Sequence, residues 1–218
     1  MNKTLEKTSF SILQYLGRLL QPARAFSNLP LFSLSFGLAA WIVSVVPTAE
    51  GMLQYDREAI AGGEIWRIFT GHWTHWNAEH LLWDVIVFVV LGMACERFGR
   101  RGYILCIVAG APIISLAVWA VLPHMQYYRG LSGLDAALYM LVGVTLLREE
   151  QSGSLLKRSV LFMLLLAALG AKVGYEAFYE RTIFVQDMGG FVPVPIAHLA
   201  GALVGVAAAL SPSPLEAS

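Results

Sequence analysis

The chain has 218 residues, 57% of them hydrophobic and only 14% charged, with a mean hydropathy of +0.62. That is too apolar for an ordinary soluble domain of this length and reads as one all-α, polytopic membrane domain. The formal net charge is zero with the basic residues dispersed, so the chain lacks the basic footprint that a nucleic-acid partner requires.

No small-residue cleavage pattern closes the first apolar run, which begins only after Arg24, so a removable signal peptide is not expected. Residues 1–28 read as a weakly amphipathic leader lying on the membrane surface. A membrane domain is expected over 29–210, followed by a short tail at 211–218. Its first span, 29–46, stops at Pro47. From Thr48 to Glu79 the chain is polar, aromatic and glycine-bearing, with His72-Trp73-Thr74-His75-Trp76 as its densest stretch. Indole and imidazole rings suit the headgroup level, so this segment reads as a folded interfacial loop. The second span covers about 80–94 and the third about 103–122. The fourth opens on Gly130-Leu131-Ser132-Gly133-Leu134-Asp135 and ends at Arg148. The fifth covers about 160–178 and the sixth about 193–210. Cys95 and Cys106 have no CxxC spacing and no histidine nearby, and are read as buried free thiols.

Six spans put both termini on one side. Lys3, Lys7, Arg18, Arg24, Arg97, Arg100, Arg101, Arg148, Lys157 and Arg158 share that side, against Arg57, Arg67, Arg129 and Arg181 on the other. The positive-inside rule therefore places the termini in the cytoplasm and the aromatic loop, the serine turn and the start of the last span towards the outer face. No internal repeat supports an inverted-repeat transporter.

Polar and ionisable side chains inside a bilayer need partners, which makes His80, Asp84, Ser132, Asp135, Lys172, Glu176 and His198 the candidates for chemistry. Gly201 and Gly205 have the small-xxx-small spacing that lets two helices approach closely, and His198 lies on the same face as Gly201. A serine hydroxyl needs a base within hydrogen-bond reach to become a nucleophile. Ser132 alone reads as a helix cap and His198 alone as a packed polar residue. Both placed at outward-facing helix starts favour a reacting pair.

These residues resemble the rhomboid intramembrane serine proteases. Gly130-Leu131-Ser132-Gly133 matches their Gly-x-Ser-Gly motif, and His198, Gly201 and Gly205 match the motif of their last helix. Trp66-Arg67 matches a loop pair, and His80 matches a second-span histidine of the oxyanion site. The resemblance spans about 29–210. It implies a six-transmembrane-helix bundle in a bacterial inner membrane and a catalytic Ser132–His198 dyad opening to the periplasmic side. It further implies oxyanion or supporting roles for His80, Asp84 and Gly133, helix packing at Gly201 and Gly205, and a loop anchor at Trp66 and Arg67. The partners implied are the lipid bilayer and a membrane-anchored protein substrate with a transmembrane helix, with no cofactor.

Two positions depart from the pattern. Where the family commonly has an oxyanion-donating Asn, this chain has Asp84, which would repel the oxyanion if ionised, donate to it if protonated, or orient the protonated His198 as in a triad. Where many members have a Tyr stacked on the histidine, the residue is Ala136. The short chain and these substitutions resemble the rhombosortase branch, whose substrates carry a C-terminal Gly-Gly motif, a transmembrane helix and a basic tail. Asp135 is expected to cap the fourth helix, with tuning of His80 or His198 as the lesser alternative. Lys172 and Glu176, four apart, are expected to neutralise each other, or else to line a substrate entrance. His72, His75 and Glu79 lack a convincing fourth ligand, so no metal is expected. Competing readings are a catalytically inactive relative that binds transmembrane helices, and a proton-coupled carrier, which would leave the glycines around Ser132 unexplained.

Overall fold

A computed structural model describes residues 30–149, 155–179 and 192–211. The leader at 1–28 and most of the tail fall outside the described residues. The order is α1 (Leu31–Val45), α2 (Ala49–Leu53), β1 (Tyr55–Asp56), α3 (Arg57–Ala61), α4 (Arg67–Thr70), a 3-10 turn (Gly71–Trp73), α5 (Ala78–Phe98), α6 (Arg100–Val108), α7 (Gly110–Val121), β2 (Tyr127–Tyr128), α8 (Ser132–Glu149), α9 (Leu155–Tyr179) and α10 (Pro195–Leu210). The six expected spans correspond to α1, α5, the α6–α7 pair, α8, α9 and α10, and the chain is an all-α bundle.

Asn77 starts α5 by accepting the His80 N–H at 2.8 Å, with Glu79 in the first turn. At 21 residues the helix is about 31 Å long, enough for the hydrocarbon core. It outruns the expected 80–94 because Glu96 has a partner: its carboxylate accepts the Ser33 N–H at 2.8 Å and the Ser33 hydroxyl at 2.5 Å. The third rod is interrupted at Ala109, three residues before Pro112, whose missing N–H removes one rung of the ladder. Both α5 and the α6–α7 rod are long and apolar enough to cross a membrane on their own.

At the centre stands α8. Gly133, Leu134, Asp135, Ala136, Ala137 and Leu138 are consecutive and all buried, so this helix is enclosed on every side. Its largest contact is with α10. A Cβ on Gly201 would collide with the Gly133 carbonyl, and one on Gly205 with the Ala137 carbonyl. Hydrogen in place of a side chain is what lets these two backbones touch.

The outer faces are apolar: Leu34, Leu38 and Trp41 on α1, Leu82 and Val90 on α5, Met163 and Leu164 on α9, and Leu199 and Leu203 on α10 are all exposed. The polar residues turn inward, and the buried ones include His80, Asp84, Asp135, Glu176 and His198. A polar interior with an apolar exterior suits a hydrocarbon solvent, and in water a surface of this kind would aggregate.

The 48–77 loop is folded, as expected. Arg67, almost wholly buried, donates to Glu64 at 2.7 Å and to the carbonyls of Gly51 and Gln54 at 2.9 and 3.0 Å. Trp66 remains half exposed beside it. The antiparallel pair of β1 and β2 ties this loop to the segment that leads into α8.

Candidate active site

Gly130 sets the approach to Ser132. Its φ of 117° lies in the region that favours glycine, and an added Cβ would meet the His80 ring at 2.8 Å and Asp84 Oδ2 at 3.0 Å. The chain can pass this close only without a side chain. The next amide, Leu131 N–H, donates to Asp84 Oδ2 at 2.9 Å. His80 Nε2 and His75 Nε2 approach the same oxygen at 3.2 and 3.4 Å. Asp84 thus acts as an acceptor at the N-terminus of α8, where negative charge is favoured by the helix dipole. It fixes the turn that presents Ser132.

Ser132 is the first residue of α8, and its Oγ lies 3.0 Å from His198 Nε2. His198 projects from the first turn of α10, which Pro195 begins; a proline there sacrifices no helical hydrogen bond. The glycine contacts one and two turns further along hold α10 on α8 and so set this distance. Gly133 packs against Ile114 and the Ala197 carbonyl, where an added Cβ would lie 3.1–3.2 Å from its neighbours and crowd them.

The other ring nitrogen, His198 Nδ1, faces Glu176 Oε2 at 2.9 Å. That is ion-pair distance, although the oxygen lies off the line of a well-directed hydrogen bond. Glu176 Oε1 accepts from Lys172 Nζ at 2.6 Å, and Nζ stands 3.4 Å from both ring nitrogens of His198. Serine, histidine, glutamate and lysine from three helices therefore form one cluster. A cavity of about 320 Å³ opens beside it, bordered by Trp83 and Val87 of α5, Ala136 and Tyr139 of α8, and Ala168 and Leu169 of α9.

This geometry corrects the expectation for Asp135 and narrows the alternatives at Asp84. Asp84 accepts from its contacts and is committed to the α8 turn, so it is neither an oxyanion donor nor the orienting partner of His198; the carboxylate beside His198 belongs to Glu176. Asp135 does not cap α8: its side chain is buried and makes no hydrogen bond to the first-turn amides, and Oδ1 has no partner among the described residues. Lys172 and Glu176 do pair with each other, as their spacing suggests, but the pair also reaches His198. His80 Nε2 points at Asp84, while Nδ1 receives the Trp76 N–H at 3.5 Å. At Ala136 the missing ring is not replaced by another against His198 among the described residues.

The role of His75 was not legible in the sequence. The sequence shows only an aromatic loop, and a partner for a charge on a neighbouring helix was the one available signal. His75 lies below its ordinary pKa because burial outweighs its attraction to Asp84. Burial also lowers His72, despite the carbonyls of Ala111 and Gly130 at 3.0 and 3.3 Å. Among the described residues no group of three or more His, Cys, Asp or Glu is placed to hold a metal ion.

Residues 62–213 match the family described as Rhomboid domain. The chain is 29% identical over 151 residues to "Rhomboid protease GlpG" of Salmonella choleraesuis (strain SC-B67) and of Salmonella heidelberg (strain SL476), and 28% identical to that of Salmonella paratyphi A. Each alignment covers 67% of this chain and 48% of the relative. The chain spans about half the length of the curated relatives it matches.

Proposed function

The chain belongs to the rhomboid family of membrane proteins, and from that premise we propose that it is an intramembrane serine protease. The observation that carries the reading is the 3.0 Å contact between Ser132 Oγ and His198 Nε2 at the mouth of a cavity. His198 takes the hydroxyl proton as Oγ bonds to the substrate carbonyl carbon. The developing oxyanion falls near the first-turn amides of α8, which have no partner within their own helix, with His80 bordering the same space. Collapse breaks the C–N bond and returns the proton from Nε2 to the leaving amine. Water then repeats the sequence on the acyl-enzyme.

The substrate proposed is a membrane-anchored protein that brings a transmembrane helix to the cavity. The narrower rhombosortase-type class, with a C-terminal Gly-Gly motif, rests on the sequence resemblance alone. Orientation in a bacterial inner membrane, with cytoplasmic termini and the cavity towards the periplasm, rests on the distribution of Lys and Arg.

The test is labelling of the detergent-solubilised protein with a fluorophosphonate, in which Ser132 Oγ displaces fluoride from phosphorus. Labelling should vanish in Ser132→Ala and in His198→Ala. In His80→Ala it should slow without vanishing, because the Asp84 contact that steadies the turn before Ser132 is lost. A folded wild-type protein that does not label would favour the inactive, helix-binding alternative.

A further inference from the structure

We propose that Glu176 is the third member of the site, a positioning residue that holds His198 in its reactive tautomer, and that Lys172 sets how Glu176 does so. The proposal rests on the protease reading above. Three observations carry it. Glu176 Oε2 stands 2.9 Å from His198 Nδ1, the nitrogen not used by Ser132. Glu176 is also the one buried residue among the described side chains of α9; the others are partly or fully exposed. A helix that turns its apolar residues outward and buries only a carboxylate does so against a cost, which a partner must offset. Finally, Lys172 Nζ occupies the other carboxylate oxygen at 2.6 Å, leaving Oε2 as the oxygen that faces the ring.

A neutral imidazole carries one proton. A carboxylate facing Nδ1 draws the proton there, which leaves Nε2 as the lone-pair acceptor that Ser132 Oγ–H requires. When Nε2 takes the serine proton, Glu176 stabilises the resulting imidazolium and itself stays unprotonated. Contacts of this kind are often loosely aligned before substrate binds, and a small rotation of the ring brings Nδ1–H onto Oε2. Lys172 acts with the opposite sign, because its ammonium, 3.4 Å from both ring nitrogens, disfavours a second positive charge. Lys172 and Glu176 of α9 and Ser132 of α8 stand against His198, and the other titratable or charged groups of its cavity are Asp135 and Tyr139 of α8, His80 and Asp84 of α5, and Tyr128 and Arg129 of the segment before α8.

Glutamine at 176 gives a distinctive test. Lysine has only donors, so Lys172 would hold the amide oxygen of the new side chain and turn its NH2 towards Nδ1. That stabilises the wrong tautomer, with Nε2–H pointing at Ser132. A merely structural role would make Glu176→Gln, the near-isostere, milder than Glu176→Ala; the tautomer role makes it equal or worse.

The measurement is the fluorophosphonate inactivation rate across pH, with Ser132→Ala as the blank and helical signal and melting temperature recorded for every variant. Glu176→Gln is expected to lower the maximal inactivation rate by about a hundredfold or more, leave the half-saturating probe concentration unchanged, and move the acid limb to lower pH. Glu176→Asp should recover part of the rate. Lys172→Met, which keeps Glu176, should move the acid limb to higher pH, so the proposal stays testable even if the 176 variants fold poorly. A near-wild-type rate in folded Glu176→Gln, a milder effect than in Glu176→Ala, or an unmoved limb in Lys172→Met would overturn it while leaving the protease reading intact. Labelling that survives Ser132→Ala would instead sink that reading.

Discussion

Replacing Gly201 couples the packing of two helices to the chemistry one turn away. The Cβ of Gly201→Ala would collide with the Gly133 carbonyl oxygen and lie 2.9 Å from its carbonyl carbon. Both atoms are backbone, so no rotamer change relieves the contact. Carbon atoms sit best about 3.5–4.0 Å apart, so α8 and α10 must part locally by on the order of 1 Å. The Ser132–His198 separation, now 3.0 Å, then leaves hydrogen-bond range, and a misplacement of this size costs about a hundredfold in rate. Overpacking should lower stability by about 1–3 kcal/mol. The assay pairs fluorophosphonate inactivation with thermal melting in detergent, using Gly201→Ala and Gly201→Val as a graded series. Rate and stability should fall together and further for valine. A valine variant that melts normally and labels at the wild-type rate would refute the idea that this glycine sets the distance between serine and histidine.

Arg67→Met should destabilise the protein by about 2–4 kcal/mol, because it removes charged hydrogen bonds to Glu64, Gly51 and Gln54 in a buried setting; thermal melting checks this, and an unchanged midpoint would mean that Arg67 does not anchor the loop. Stability should also fall in mild acid. His72 and His75 are held below their ordinary pKa of 6.5 by burial, so below about pH 6.5 the unfolded chain takes up protons that the folded one refuses. Their contribution is full above pH 6.5 and declines as the pH drops towards the lowered folded values. Melting temperatures from pH 7.5 to 5 should show this slope, and His72→Gln should flatten it; an identical slope in that variant would tell against the assignment.

The sequence made the bundle legible because hydropathy reports burial in lipid directly, and its runs placed all six rods. It falls short where a charge has a partner it cannot display: hydropathy ends the second span before Glu96, whereas Ser33 lets the helix carry that carboxylate onward. The same limit shaped the site. Ser132 and His198 stood out because their neighbours are glycines in recognisable positions. Glu176 stands among the candidates only as the partner of its i–4 neighbour Lys172, since only three-dimensional packing brings His198 between α8 and α9. At Asp84 the sequence leaves several readings open for a related reason: its i–4 neighbour His80 is visible in sequence, whereas the Leu131 amide and His75 arrive from other segments.

Charged side chains inside a membrane domain must be kept from lipid, and the distribution of side chains does so by depth. Along most of their length the rods show hydrocarbon-compatible surfaces, and α8 is sealed by glycine-mediated contact with α10. At the end where α8 and α10 begin, the buried charges are gathered around one cavity and largely matched: Asp84 faces two histidines and an amide, while Glu176 faces Lys172 and His198. Matching matters because an isolated buried charge would be neutralised or would pull its helix out of register. Asp135 Oδ1 and the Tyr128 hydroxyl in that lining have no hydrogen-bond partner among the described residues. The charged groups of this cavity are thus gathered at the level where a serine, a histidine and the folded loop meet, and α9, with little of its own surface buried, supplies Lys172 and Glu176.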